Sequence, residues 1–286
     1  NLVLHLMAIA HEAGVELTLE DFDRISRQVP FVCNLQPSGD YPIVSLDASG
    51  GIQAVLKTIE TRLHKDVMNI TGRPLGALLE SIQARPDKVL KSMDKPQKPE
   101  GGIAVLKGNL APSGAVVKQS GVKPAMYHFR GKARVFDSME EADAAVSGGG
   151  IEKGTVIVIR YEGPKGGPGM REMLSTTALI MGRGMDEDCA LVTDGRFSGA
   201  THGPCVGHVS PEAASGGPIG LVEDGDIIEI DIPGRSLHIE VTEEEFDRRR
   251  KTFVPIRKPR KPAMAKYAAL VGPADTGAVI DVSKLD

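Results

Sequence analysis

Residues 160–209 read RYEGPKGGPGMREMLSTTALIMGRGMDEDCALVTDGRFSGATHGPCVGHV and contain two Gly-rich loops on either side of one helix-like segment. The loops are EGPKGGPGM (162–170) and TDGRFSGATHGP (193–204), and a β-branched run precedes each of them. A strand followed by such a loop exposes backbone N–H groups and polar side chains at the strand end. We therefore expect the chemistry of this protein at the two loops. The polar residues at their edges are Glu162, Lys165, Arg171, Glu172, Asp194, Arg196, Ser198, Thr201, His202 and His208.

The first loop does not carry a nucleotide-binding motif, since GPKGGPG matches neither GxxxxGK[ST] nor GxGxxG. Glu172 is predicted in the first turn of a helix over residues 170–181. The helix dipole there keeps a carboxylate ionised, which suits a hard cation such as Mg²⁺. The position also fits a glutamate that serves only as a favourable first-turn charge. The residues alone leave both interpretations open.

The second loop contains Ser198 between Phe197 and Gly199. A serine beside glycine on a strand-end loop is typical of an exposed nucleophile or base. The surroundings do not form a GxSxG elbow, so a hydrolase triad has little support. A serine base also needs a nearby cation or positive field. The alternative is a serine that only caps its own loop.

A third pattern, HxxCxxH, is formed by His202, Cys205 and His208. Structural zinc takes four ligands, and Cys189 would have to supply the fourth, so the pattern does not favour zinc. The following Ser210-Pro211-Glu212 predicts an N-cap, first residue and first-turn acid of a helix.

Composition excludes several classes of protein. The chain has 286 residues and a net charge of −4, so no basic excess indicates nucleic acid as the main partner. No apolar run approaches the roughly 18 residues of a membrane helix. Three widely spaced cysteines do not suggest a disulfide framework, and they favour an intracellular location. We expect a cytoplasmic protein, or an organellar one in a eukaryote.

The chain changes character near residue 100. Residues 1–90 are predicted to be mainly helical, and the polar, Pro-containing KSMDKPQKPEG (91–101) reads as a linker. Short β-branched runs then alternate with helical patterns, which predicts a mixed α/β domain with a sheet or barrel core. Predicted helices cover residues 1–13, 18–28, 52–63, 75–82, 138–146, 170–181, 243–250 and 263–271. Thr18, Ser138 and Thr242 are the predicted N-cap residues of three of these helices, with an acidic residue three positions further on in each case. Predicted strands cover residues 31–35, 103–106, 115–117, 133–136, 155–161, 190–193, 227–232 and 237–241.

The first predicted helix begins at the edge of its own apolar pattern, and the chain does not start with Met. We therefore expect native sequence upstream of Asn1. The apolar residues Leu2, Leu6 and Ile9 on this helix predict a homo-oligomer.

The two loops resemble the dihydroxy-acid dehydratase family, within the wider group of sugar-acid and phosphogluconate dehydratases. The matching segments are YEGPKGGPGMREM (161–173), TDGRFSGATHGPCVGHVSPEA (193–213), GGPIGLVEDGDIIEIDIP (216–233), NLVLHLMAIAHEAGV (1–15), NLQPSG (34–39) and AKYAALV (265–271). The likeness extends over almost the whole chain, but only to the C-terminal half of the family.

This resemblance implies a hydro-lyase that removes water from a 2,3-dihydroxy acid and yields a 2-oxo acid, a step of valine and isoleucine synthesis. It also implies an iron–sulfur cluster that acts as a Lewis acid on the C3 hydroxyl, and a Mg²⁺ ion that orients the carboxylate and C2 hydroxyl. Ser198 matches the family's serine base, and Glu172 matches its glutamate ligand to Mg²⁺. Arg196, Thr201 and His208 lie in the matching loops and are expected to shape the substrate pocket.

The remaining metal-site groups, all cluster cysteines included, are expected in the half that this chain lacks. Cys33, Cys189 and Cys205 do not match cluster positions, so none is assigned as an iron ligand. The resemblance predicts a β-barrel-like, swivelling β/β/α domain over residues 100–286. Residues 1–99 are predicted to be the mainly helical remainder of a catalytic α/β domain. The chain alone is then expected to be inactive, and the complete enzyme is expected to be a homodimer that acts on a small dihydroxy acid.

Two other functions stay open at this point. The first is a sugar-acid dehydratase of the same family that acts on aldonates. The second is a non-catalytic fragment that serves as a structural or dimerisation domain.

Overall fold

A computed structural model describes residues 1–285 of the chain. The chain divides into two compact units. Residues 1–23 and 103–285 form the first unit, and residues 24–102 form the second.

Helices and strands follow one another as a mixed α/β series. The helices are α1 (Leu2–Glu12), α2 (Leu19–Gln28), α3 (Val44–Ala48), α4 (Gly51–Thr58), α5 (Leu75–Leu79), α6 (Met139–Ser147), α7 (Leu174–Gly182), α8 (Glu243–Thr252) and α9 (Pro262–Leu270). The strands are β1 (Ala104–Leu106), β2 (Gly114–Val117), β3 (His128–Phe136), β4 (Thr155–Ile159), β5 (Ala190–Thr193), β6 (Cys205–Ser210), β7 (Ile227–Asp231) and β8 (Ser236–Ile239).

The first unit is built on one eight-stranded sheet in the order β1-β2-β6-β5-β4-β3-β7-β8. The four central strands, β6, β5, β4 and β3, are parallel to one another. The pairs β1–β2, β2–β6, β3–β7 and β7–β8 are antiparallel. A parallel bridge between Lys107, just after β1, and Ser236 in β8 joins the two edges. The sheet is therefore nearly closed and barrel-like, as the α/β class predicted from the sequence allows.

Alternation along the strands produces the main core, because successive side chains of a strand point to opposite faces. Residues of all eight strands meet in one buried apolar cluster, and they are alternate residues in every strand except β6. In β4, Val156 and Val158 belong to this cluster, whereas Ile157 and Ile159 belong to a second cluster formed with α6 and α7. Central parallel strands are thus buried on both faces, which explains their continuous apolar runs.

Several helix starts agree with their predicted capping residues. Ser138 Oγ accepts the backbone N–H of Glu141 at 3.3 Å, and Thr242 Oγ1 accepts that of Glu245 at 3.3 Å. Thr18 and Asp21 exchange hydrogen bonds before α2. These capping predictions are confirmed, and each such cap typically contributes about 1 kcal/mol.

Three local predictions are wrong, and one strand is missing from the prediction. The segment CVGHVS, which was not predicted as a strand, forms β6. No helix starts at Ser210, which ends β6, and a 3₁₀ turn over Ala213–Ser215 follows instead. Residues 31–35 form isolated bridges and no continuous strand. The predicted helix over 170–181 begins only at Leu174.

The second unit contains α3, α4 and α5 and has a small apolar cluster of its own that includes Val32, Ala54 and Leu90. Within residues 1–285, none of the helices has the length and apolar character required to cross a bilayer.

We expect Ile157→Ala in β4 to lower the free energy of unfolding by about 3 kcal/mol, because it leaves a cavity at a fully buried site. Urea unfolding of the chain would measure the change. Ile52→Ala on α4, where the side chain is 65% exposed, is the matched control and should shift stability by less than about 1 kcal/mol. Equal losses for both variants would contradict the assignment of Ile157 to the core.

Candidate active site

The two Gly-rich loops leave neighbouring strands at the same edge of the sheet. β4 and β5 are parallel and in register, with Ile159 opposite Thr193 at their last positions. The loop after β4 leads to α7, and the loop after β5 leads to β6. Ligand sites in parallel sheets lie outside the carboxyl ends of the strands. The loops therefore meet where such a site is expected.

The far ends of the two loops pair through their backbones. The Arg196 N–H donates to Arg171 O at 2.9 Å, and the Met173 N–H donates to Arg196 O at 2.8 Å. These bonds form an isolated parallel bridge between Glu172 and Arg196. Glu172 thus lies before the N-cap of α7 and not in its first turn, which corrects the position predicted from the sequence.

Asn1 connects the side chains of this bridge. Its amide nitrogen donates to Glu172 Oε1, and its amide oxygen accepts from Arg196 Nη1 at 3.2 Å. The Arg196 Nε also donates to Met170 O. Sequence reasoning missed Asn1, because no local motif indicates a contact between residues so far apart in the chain.

Ser198 lies two residues beyond Arg196 and is partly exposed. Its hydroxyl accepts the Ala200 N–H at 3.2 Å, so it caps its own turn. The Lys118 ammonium donates to Gly199 O and brings a positive charge to the same turn. The sequence pointed to a cation near this serine but did not identify Lys118.

Thr201 and His208 are buried, and each presents a polar atom without a partner in the described part of the chain, namely Thr201 Oγ1 and His208 Nε2. His208 is 4% exposed and adopts a φ of 56°, which is unusual for a residue other than glycine. Its ring lies 6.3 Å from that of Phe197, measured between centroids. Burial lowers the pKa of His208 to about 3, so the imidazole is neutral and a weak base at neutral pH.

Three buried carboxylates, those of Glu162, Asp194 and Glu212, anchor the loops. Glu212 accepts the N–H groups of Lys165 and Gly166, both at 2.8 Å. Burial raises the pKa of Asp194 to about 6 and that of Glu212 to about 7.

Glycine is required where the first loop wraps these groups. A Cβ at Gly163 would lie 2.8 Å from Glu212 Oε2, and one at Gly167 would lie 2.7 Å from Glu162 Oε2. Any larger residue would therefore push the loop off the carboxylates.

A basic segment before α9 crosses the first loop. Lys258 Nζ donates to Tyr161 O at 3.1 Å, and Arg260 donates to Lys165 O. A cavity of about 250 Å³ remains between this segment and the loop, and Arg171 also lines it.

The side chains of this chain fit the expected Mg²⁺ ion better than they fit the expected iron–sulfur cluster. Mg²⁺ is commonly bound through one or two carboxylates together with water and substrate oxygens, and the partly exposed Glu172 fits one such ligand. Among residues 1–285, no three or more His, Cys, Asp or Glu side chains cluster to hold a metal.

The cysteines do not fit an iron–sulfur cluster. Cys189 and Cys205 are buried in the apolar cluster under α6 and α7. Burial raises the pKa values of Cys33, Cys189 and Cys205, which disfavours the thiolate that a metal requires.

The fold and loops agree with the comparison to known families. Residues 88–278 match the C-terminal model described as dihydroxy-acid/6-phosphogluconate dehydratase, and residues 1–78 match the N-terminal model of the same description. The chain belongs to the dihydroxy-acid/6-phosphogluconate dehydratase family, which confirms the resemblance.

Curated relatives are similar over nearly the whole chain. The dihydroxy-acid dehydratase of Clostridium novyi is 51% identical over 285 residues, which cover 98% of this chain and 51% of the relative. The dihydroxy-acid dehydratase of Oleidesulfovibrio alaskensis is 54% identical, with 98% and 51% covered. That of Ignicoccus hospitalis is 52% identical, also with 98% and 51% covered. The chain spans about half the length of these relatives.

Glu212 should make stability depend on pH. Its raised pKa means that the folded state holds a proton that the unfolded state has already released. This stabilising contribution is complete below pH 4.5 and is lost as pH rises towards about 7. Against Glu212→Gln, the unfolding free energy of the wild type should therefore fall by on the order of 3 kcal/mol between pH 4.5 and 7.5.

Urea unfolding of the wild type and of Glu212→Gln at a series of pH values would measure this difference. His208 titrates in the opposite sense, but it is present in both proteins and its contribution cancels. Glu152→Gln, at an exposed position, is the control and should follow the wild type. Parallel curves for the wild type and Glu212→Gln would contradict a buried, proton-binding Glu212.

Proposed function

We propose that this chain forms the C-terminal half of a dihydroxy-acid dehydratase, a hydro-lyase that converts 2,3-dihydroxy-3-methyl acids to 2-oxo acids in valine and isoleucine biosynthesis. The observation that carries this proposal is the backbone pairing of the two family loops. It sets Glu172 opposite Arg196, and Ser198 follows Arg196 by two residues in the chain. Relatives named dihydroxy-acid dehydratase, at 51% and 54% identity, support this substrate class over aldonates.

In this proposal Ser198 Oγ takes the proton from C2 of the substrate. The C3–O bond breaks as the C2–C3 double bond forms, and the departing hydroxide leaves as water with the proton that Ser198 Oγ returns through solvent. The resulting enol tautomerises to the 2-oxo acid. An alkoxide is favoured by positive charge nearby, and Lys118 and Arg196 supply such charge on this chain. The neutral His208 is too weak a base to compete for this role.

Arg196, Thr201 and His208 are proposed to shape the substrate pocket. Thr201 Oγ1 and His208 Nε2 are buried hydrogen-bonding atoms without partners in the described residues. Such atoms carry an energetic cost that a ligand or an ordered water can relieve.

Glu172 is proposed to hold Mg²⁺, with Asn1 orienting its carboxylate through the amide hydrogen bond. A bound Mg²⁺ would supply Lewis acidity that orients the substrate carboxylate and C2 hydroxyl. The thiols of this chain do not fit an iron–sulfur cluster, so its ligands are proposed to come from the other half of the enzyme.

We further propose that residues 100–286 are the family's swivelling β/β/α domain and that residues 1–99 continue an upstream α/β domain. The two family models, which meet between residues 78 and 88, support this division. Exposed apolar residues on α1, among them Leu2 and Ile9, support a homodimer. Free thiols at all three cysteines support a reducing compartment such as the cytoplasm.

Ser198→Ala in the enzyme encoded by the full-length gene should lower kcat by about 10²-fold to 10⁴-fold, since a general base is removed. The visible absorption of the iron–sulfur cluster should stay unchanged. Formation of 2-oxo acid from 2,3-dihydroxyisovalerate under anaerobic conditions would measure the rate. Ser147→Ala at an exposed position is the matched control. A near-normal rate in Ser198→Ala would exclude this serine as the base.

Glu172→Gln should raise the Mg²⁺ concentration needed for half-maximal activity by at least about tenfold, because a neutral amide is a poorer ligand to a hard cation. A Mg²⁺ titration of activity, with calorimetry of Mg²⁺ binding alongside, would measure the shift. Glu244→Gln in α8 is the control for loss of one exposed charge. An unchanged Mg²⁺ dependence would count against Glu172 as a ligand.

A further inference from the structure

Asp194 is the first residue after β5, and its side chain is 0% exposed. Its carboxylate accepts three backbone N–H groups. Oδ1 accepts from Glu162 at 2.9 Å, and Oδ2 accepts from Tyr161 at 3.1 Å and from Ala213 at 3.0 Å. A fully buried carboxylate is costly unless it is hydrogen-bonded, and here main-chain donors occupy both of its oxygens.

The three donors come from the segments on either side of β5. Tyr161 and Glu162 begin the first Gly-rich loop after β4, and Ala213 begins the turn after β6. In the sheet, β5 lies between β6 and β4. Asp194 itself begins the second Gly-rich loop. One side chain therefore joins the carboxyl ends of three neighbouring parallel strands.

The first loop starts in a strained conformation. Tyr161 has a φ of 64°, in the left-handed region that is unfavourable for a residue with a Cβ. The Asp194 carboxylate holds the N–H of this same residue. Without that bond, the backbone at Tyr161 would be free to relax toward negative φ and redirect the loop.

The loops are thus fixed at both ends. Asp194 holds their starts, and the backbone pairing of Arg171 and Met173 with Arg196 holds the segment that carries Glu172. The space between is tight, because a Cβ at Gly195 would lie 3.0 Å from Glu162 Cβ. A shift at Asp194 must therefore be transmitted to the positions of Glu172 and Ser198.

We propose that Asp194 is a positioning residue, whose carboxylate sets the register of the first Gly-rich loop against the second and so presents Glu172 and Ser198 to the same substrate. This inference rests on the proposed dehydratase function. It adds a residue that acts through the loop backbone and not on the substrate itself.

Asp194→Asn tests the proposal in the enzyme encoded by the full-length gene. The amide keeps one acceptor oxygen and turns an NH₂ group toward a backbone N–H, so at least one loop contact is lost. Because misplacement of reacting groups by about 1 Å can cost roughly 10²-fold in rate, kcat should fall by about 10-fold to 100-fold. KM should change by less than about threefold, since substrate binding is not removed.

Asp226→Asn is the matched control. Asp226 is also a largely buried carboxylate that accepts a backbone N–H, from Glu223 at 2.7 Å, and it pairs with Arg249 of α8. This variant should lower the melting temperature at least as much as Asp194→Asn but leave kcat unchanged. If the two variants have similar melting temperatures and equal kcat values, the proposal is overturned, since Asp194 would then have only a structural role.

Hydrogen exchange on the 286-residue chain gives a readout that does not need catalysis. The amides of Tyr161, Glu162 and Ala213 should exchange faster in Asp194→Asn than in Asp226→Asn, and exchange should also rise at Arg196. Unchanged exchange at Arg196 would overturn the transmission between the loops. If instead the wild-type enzyme forms no 2-oxo acid from 2,3-dihydroxyisovalerate, the proposed function fails, and this exchange result still decides the role of Asp194.

Should Asp194→Asn not fold, Thr193→Val replaces it. Thr193 Oγ1 accepts the Gly195 N–H at 3.0 Å, within the turn that contains Asp194. A smaller loss in kcat, about threefold to tenfold, is expected because a single neutral hydrogen bond is removed. Faster exchange at the amides of Tyr161 and Glu162 together with a normal kcat would overturn the proposal, since the loop positions would then not govern turnover.

Discussion

The carboxyl ends of β4, β5 and β6 meet at one edge of the sheet, and the backbone N–H groups released there must find hydrogen-bond partners. Tyr161, Glu162 and Ala213 are buried, so their N–H groups are removed from bulk water. The Asp194 carboxylate accepts from all three. This one acceptor therefore joins the starts of the two Gly-rich loops that carry the candidate site.

This arrangement places charge where burial disfavours it. Burial raises the pKa values of Asp194 and Glu212. The charge of Glu162 also raises the pKa of Asp194, and the charge of Asp194 also raises that of Glu212. Backbone N–H donors and the nearby cations offset part of that cost, with Lys258 Nζ 3.6 Å from Glu162 Oε1. Such strained, partly compensated groups are typical of sites that hold functional loops in one conformation.

The functional groups of the chain divide by environment. Glu172 and Ser198 are partly exposed and able to reach a ligand, whereas the thiols of Cys189 and Cys205 are enclosed in apolar surroundings. Burial thus separates the side chains that a ligand can reach from those that it cannot.

The sequence by itself determined the family, the two loops, the central strands and the capping residues, because motifs and caps depend on neighbours close in the chain. It did not determine β6, since CVGHVS is buried on both faces and shows no alternation. Nor did it place Glu172 outside α7, where pairing with Arg196 overrides helix propensity. The Asn1 contact joins residues 171 positions apart, and only the tertiary structure could decide it, because nothing local encodes which distant side chain completes a hydrogen bond.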